Sequence, residues 1–145
     1  MRTTLILLAA LAAPTVALAQ EPVDAVAFFY ANPGSELDEA ERERFSDPAR
    51  AVLDANDVLW EQREDVCIDF SILFDAQDYD EAELERTLAF HEEIDGDVAD
   101  VFATFSLFGA PREILWSLAY DDGSWKVTDV SSPEAGWRLS ELSCE

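Results

Sequence analysis

Basic residues are scarce in this chain. Lys126 is its one lysine and His91 its one histidine, and 32 aspartates and glutamates outnumber 9 lysines and arginines. Binding a phosphate backbone needs Lys and Arg to displace counterions, so a formal charge of −23 argues against DNA, RNA and anionic lipid surfaces as partners. Cysteine is nearly absent: Cys67 and Cys144 make up the whole complement. With no C-x-x-C pair and no flanking histidine, they do not read as a zinc or redox site. Beyond residue 19 there is no apolar run of transmembrane length. No nucleophile motif, cofactor fingerprint or metal-ligand spacing stands out either, so no catalytic residue, cofactor or metal is assigned.

The one long apolar run stands at the start. Arg2 supplies a positive end, Leu5 to Ala13 (LILLAALAA) a short hydrophobic stretch, and Pro14 a break. Ala17-Leu18-Ala19 then places small residues at −3 and −1 of a cut before Gln20. This pattern predicts a signal peptide over residues 1–19 and a periplasmic or secreted product with no membrane span after cleavage. Residues 20–145 suffice for one domain with its own core and are too few for two. In an oxidising compartment an even cysteine count predicts a disulfide, here Cys67–Cys144, tying the C-terminal tail to the segment at 66–74.

Residues 98–130 organise the rest. Val101, Ala103, Phe105 and Leu107 alternate along one run, and Ile114, Trp116, Leu118 and Tyr120 along a second. Trp125, Val127 and Asp129 begin a third, and period two in aromatic and branched residues reads as β-strand. Gly109-Ala110-Pro111 and Asp121-Asp122-Gly123 supply the turn chemistry between them. Upstream, Val23, Val26, Ala27 and Tyr30 mark a helix opened at Pro22 and closed by Asn32-Pro33-Gly34. Residues 35–45 read as a charged, solvated helix. A third helix has Asp47 as N-cap and Pro48 at its first position, with Val52, Leu53, Asn56, Leu59 and Trp60 on one stripe. Residues 84–94 suit helix or strand. The turn at Asp95-Gly96-Asp97 favours a strand there, and hence a sheet of about four strands.

The expected fold is therefore α+β, with N-terminal helices packed on a curved antiparallel sheet. Three features draw functional attention. Asp75, Asp78 and Asp80 could offer oxygens to a hard cation, although they lack the spacing of a calcium loop and read more simply as a turn. His91, beside Glu92 and Glu93, reads as a surface strand residue. Trp60 reads as core, with ligand stacking the alternative.

The chain also carries Phe29-Tyr30 at a helix end, then Cys67-Ile68-Asp69-Phe70 and Asp75-Ala76-Gln77-Asp78. It closes on Gly123-Ser124-Trp125-Lys126-Val127-Thr128-Asp129-Val130. In these segments it resembles the exported bacterial domains of unknown function grouped as family 3828, within the nuclear transport factor 2-like superfamily. That resemblance implies a helix-lidded cone with a pocket, for which Tyr30, Trp60, Gln77, Asp78 and Trp116 are the candidate lining residues. Phe102, Phe105, Trp116 and Trp125 are expected to point inward. It brings no catalytic residues with it. The leading expectation is a non-catalytic exported domain binding a small apolar ligand or a protein partner, with a homodimer among the options. One alternative is an acidic inhibitor or immunity-type protein that binds a basic partner. The other is a small acid/base enzyme of isomerase or dehydratase type, acting through Asp78, Tyr79 or Tyr30.

Overall fold

The structure, a computed structural model, describes residues 20–145. The predicted signal peptide lies outside them. Helix α1 (Pro22–Ala31) starts where Pro22 presets its first turn and the Asp24 carboxylate accepts the Glu21 N–H at 3.2 Å. A second acid serves the same end: Glu92, from the sheet, accepts the Val23 N–H at 2.9 Å. Val26, Phe29 and Tyr30 form the buried face of α1.

Residues 35–45 are not the solvated helix that their charges suggest. They form two 3-10 turns, Ser35–Leu37 and Glu39–Arg44, in which Glu36 and Arg42 are buried. The cause is tertiary: Arg42 reaches Asp54 and Asp57 on helix α2 (Ala49–Arg63), at 3.2 and 2.5 Å. Helix α2 begins one residue after Pro48 and buries Ala49, Leu53 and Asn56. The Asn56 side-chain oxygen accepts the N–H groups of Cys67 and Ile68, fixing the chain as it returns. That return buries Ile68, Ile72, Leu73 and Phe74 in turns.

The ambiguous stretch at 84–94 proves to be both structures in succession. Helix α3 (Glu81–Thr87) is capped by Asp80, whose carboxylate accepts the Glu83 N–H at 2.7 Å, and strand β1 (Ala89–Asp95) follows. Strands β2 (Val98–Leu107), β3 (Ala110–Asp121) and β4 (Ser124–Ser132) complete the meander. A two-residue strand β5 (Trp137–Arg138) pairs with the end of β4, so the sheet has five antiparallel strands in sequential order, one more than expected. The tail is held against β4 because Asp129 accepts from the Ser140 N–H, the Ser140 hydroxyl and Arg138. The pairing of β3 with β4 skips Thr128, a bulge that sharpens the local twist.

The two faces of the sheet differ. Val101, Ala103, Phe105, Leu107, Ile114, Trp116, Leu118, Val127 and Val130 are buried with α1, α2 and the 66–74 segment. Between them stand Asp100, Phe102, Thr104, Leu115 and Ser117, half-buried on the opposite face. Phe102 therefore faces outward, not inward, because it alternates with the buried Val101 and Ala103. Trp125 is half-buried near the strand end against Tyr120. The disulfide Cys67–Cys144 is present and ties the tail to the 66–74 segment. Among the described residues no helix is long and apolar enough to cross a membrane.

Candidate functional site

Of the five candidate pocket residues, Tyr30 and Trp116 meet at the centre of the core. The Tyr30 hydroxyl donates to the Leu73 carbonyl at 2.9 Å and accepts the Trp116 indole N–H at 3.3 Å. Phe74, Phe90 and Phe105 surround the Tyr30 ring, and Phe29 stacks on Trp116 at 5.6 Å. Burial pushes the Tyr30 phenol far above its ordinary pKa, so it holds its proton and acts as a structural donor. The other three candidates lie on the surface. Trp60 is exposed on α2, off the stripe that packs inward. Gln77 donates to the Asp69 carbonyl, and Asp78 accepts the N–H of Tyr79. The five do not converge, and side chains fill the space between sheet and helices.

The three aspartates are likewise engaged one by one. Asp75 accepts the Trp137 indole N–H at 2.6 Å and faces Arg112 at 3.7 Å, Asp78 bonds the next backbone N–H, and Asp80 caps α3. His91 lies on exposed β1, 3.5 Å from the Glu93 carboxylate. Among the openings on the helical side is a crevice of about 290 Å3 between α1, α3 and β1, lined by Tyr30, Tyr79, Leu84, Leu88 and Phe90.

Two surfaces have more to offer. The first is the uncovered face of the sheet, where Glu93, Asp95 and Asp100 stand near one another across β1 and β2. They line a shallow groove of about 500 Å3 that also contains Ile94 and Val98, both exposed. No ion pair in the described residues brings a Lys or Arg to these carboxylates.

The second is the β2–β3 turn. Its two central residues are Phe108 and Gly109, not the Gly109-Ala110-Pro111 segment that the sequence suggests, since Leu107 pairs with Ala110 and Pro111 already belongs to β3. Both have positive φ, 50° and 78°, the backbone of a tight two-residue hairpin. The Glu83 carboxylate spans the turn, accepting the Phe108 N–H at 2.6 Å and the Gly109 N–H at 2.8 Å. Thr87 accepts the Ser106 N–H just below. The Phe108 ring is left 70% exposed. A bulky residue at the first position of a Phe-Gly turn was the signal available in the sequence for this feature.

The charge distribution follows from how the few cations are used. Of the eight basic residues in 20–145, Arg42, Arg44, Arg50, Arg112 and Arg138 are held in ion pairs within the fold. Lys126 donates to the backbone carbonyl of Glu43. Most of the positive charge is thus committed internally, and the surplus of carboxylates faces solvent.

No protein-family model matches the chain, and no curated protein matches it. Solved structures do. A chain of the type VI native effector–immunity complex Tae3–Tai3 from Ralstonia pickettii is 19% identical with a TM-score of 0.55, over 83% of this chain and 98% of that one. The selenomethionine form of the same complex gives 21% identity and a TM-score of 0.55, over 81% and 97%. At such identity the likeness establishes a shared fold.

Proposed function

We propose that this protein is an exported, acidic inhibitor of immunity type, which binds a basic protein partner and blocks it. The observation that carries this reading is the negative surface: arginines spent on internal pairs, and carboxylates on an open sheet face that, among the described residues, no Lys or Arg pairs. A field of one sign steers an oppositely charged protein and speeds association. The fold shared with a chain of an effector–immunity complex supports the same reading. The disulfide suits an oxidising compartment and agrees with the predicted leader. A helix-covered antiparallel sheet also fits the nuclear transport factor 2-like superfamily that the sequence resembles, and we keep that membership as part of the proposal.

The test is capture followed by assay. The oxidised protein is immobilised, native extract is passed over it at low salt, and what salt elutes is identified, purified and assayed with and without this protein. A basic protein that forms a stoichiometric complex and loses activity supports the reading. Retention of no basic protein, or binding without loss of activity, contradicts it. The 290 Å3 crevice favours a second reading, binding of a small apolar molecule. A fluorescent apolar dye that binds the folded protein, and is lost when Leu88→Trp fills the crevice in a protein that still folds, would support it; a dye that does not bind removes it.

A further inference from the structure

We propose that Phe108 is the anchor of the partner interface: an aromatic knob held out on a braced turn to fill an apolar cleft in the basic protein. The proposal rests on the protein-binding reading above and adds the residue that makes the contact. It begins with a comparison inside the sheet. Two hairpin turns share one backbone, Asp122-Gly123 with φ of 49° and 82°, and Phe108-Gly109 with φ of 50° and 78°. The first places an aspartate where φ must be positive, a residue that tolerates the left-handed region and bonds locally. The second places a phenylalanine there, which has no such chemistry and is disfavoured by its Cβ.

The backbone of the turn is held, but its side chain gains nothing from the core. The ring is 70% exposed and lies outside the hydrophobic core and the residues packed on it. A strained position whose side chain packs on none of the core points outward, to a role in recognition. Aromatic residues dominate the energetic centres of protein interfaces because they bury much surface with few torsions to freeze.

The turn is also made rigid. Glu83 grips both of its N–H groups, Thr87 holds Ser106, and α3, which presents them, has its own cap in Asp80. A knob fixed before encounter loses little freedom on binding. Its surroundings set the partner's chemistry. Glu83 stands at the turn itself, on a short helix that carries Glu81 and Glu85 as well against one cation, Arg86, and Arg112 is turned toward Asp75. The cleft that receives Phe108 is therefore apolar at its floor and lysine- or arginine-bearing at its rim.

The deciding variant is Phe108→Asn, which creates the Asn-Gly pair that such turns prefer. Its probe is the purified basic protein obtained by the low-salt capture described above, with affinity measured by calorimetry and stability by thermal unfolding. The variant is expected to unfold at the same temperature as wild type or higher, while affinity falls by about tenfold or more. Phe108→Trp, which keeps an aromatic knob, is expected to hold affinity within about threefold. A smaller loss for Phe108→Asn overturns the anchor and leaves the inhibitor reading standing. A lower unfolding temperature overturns it too, because the ring would then serve the fold. If wild type captures no basic protein, the inhibitor reading fails and the anchor with it.

Discussion

Glu36 sits where a carboxylate is least at ease. It is buried in the first 3-10 turn, with one oxygen accepting the Gly34 N–H at 2.7 Å and the other accepting the Ser71 hydroxyl at 3.4 Å. Burial raises its pKa, and the two hydrogen bonds only partly oppose that. A carboxylate whose folded pKa lies above its unfolded value binds its proton more tightly in the folded state. Its favourable contribution is complete below the ordinary glutamate range and is lost as pH rises through the folded value. Relief of general self-repulsion in acid has the same sign, so the test compares two proteins. Glu36→Gln minus wild type, measured by urea unfolding from about pH 4 to pH 8, should move in favour of the variant as pH rises. Parallel profiles would refute a buried, titrating Glu36. Arg42 is the converse case, a buried cation whose acidic partners are part-exposed: side-chain exposures are 5% for Arg42, 54% for Asp54 and 38% for Asp57. Because both acids stay solvated when it is removed, Arg42→Met should cost about 1–2 kcal/mol by chemical denaturation, below the cost of breaking a fully buried pair. A loss of about 4 kcal/mol or more would mean that Arg42 organises the 3-10 turns themselves.

At the scale of elements, the disulfide is the largest single restraint outside the core. It closes a separation of 77 residues between the 66–74 segment and the tail. Restricting the unfolded chain over such a loop gives about 4–5 kcal/mol in the entropy model. Reduction, or Cys67→Ser with Cys144→Ser, should lower the denaturation midpoint markedly; an unchanged midpoint would show that Asp129 and the edge-on packing of Trp137 against Phe70, at 4.9 Å, hold the tail unaided. Strands β2 to β4 were legible in the sequence because alternation there reports a sheet with one buried face. The disulfide was legible from compartment and count. What the sequence hid depends on tertiary partners. The charges of 35–45 resemble a solvated helix until Asp54 and Asp57 draw Arg42 inward. Residues 84–94 hold two elements because Asp80 caps a helix and Thr87 ends it two residues before β1. Strand β5 is only two residues long, too short for any periodicity. The candidate pocket failed to assemble for a related reason: sequence separates aromatic from polar residues, and does not tell which aromatic faces inward. Trp116 does, while Trp60, on a helix of mixed pattern, does not.

The whole molecule is defined by its field. With its arginines largely committed to internal pairs, the chain's excess of 32 acids over 9 bases is displayed outward. Salt should therefore act with opposite signs on two properties. For the protein alone, rising ionic strength screens self-repulsion and should raise the thermal unfolding temperature. For its complex, the same screening weakens the attraction that guides the partner in. The measurement that tests the central claim most directly is association of the protein with its captured basic partner, followed by stopped flow across a salt series, with partner activity read in parallel. An association rate that falls about tenfold or more between roughly 20 and 500 mM salt, with inhibition saturating at one-to-one, is the predicted result. An association rate indifferent to salt, or a complex in which the partner stays active, would contradict it.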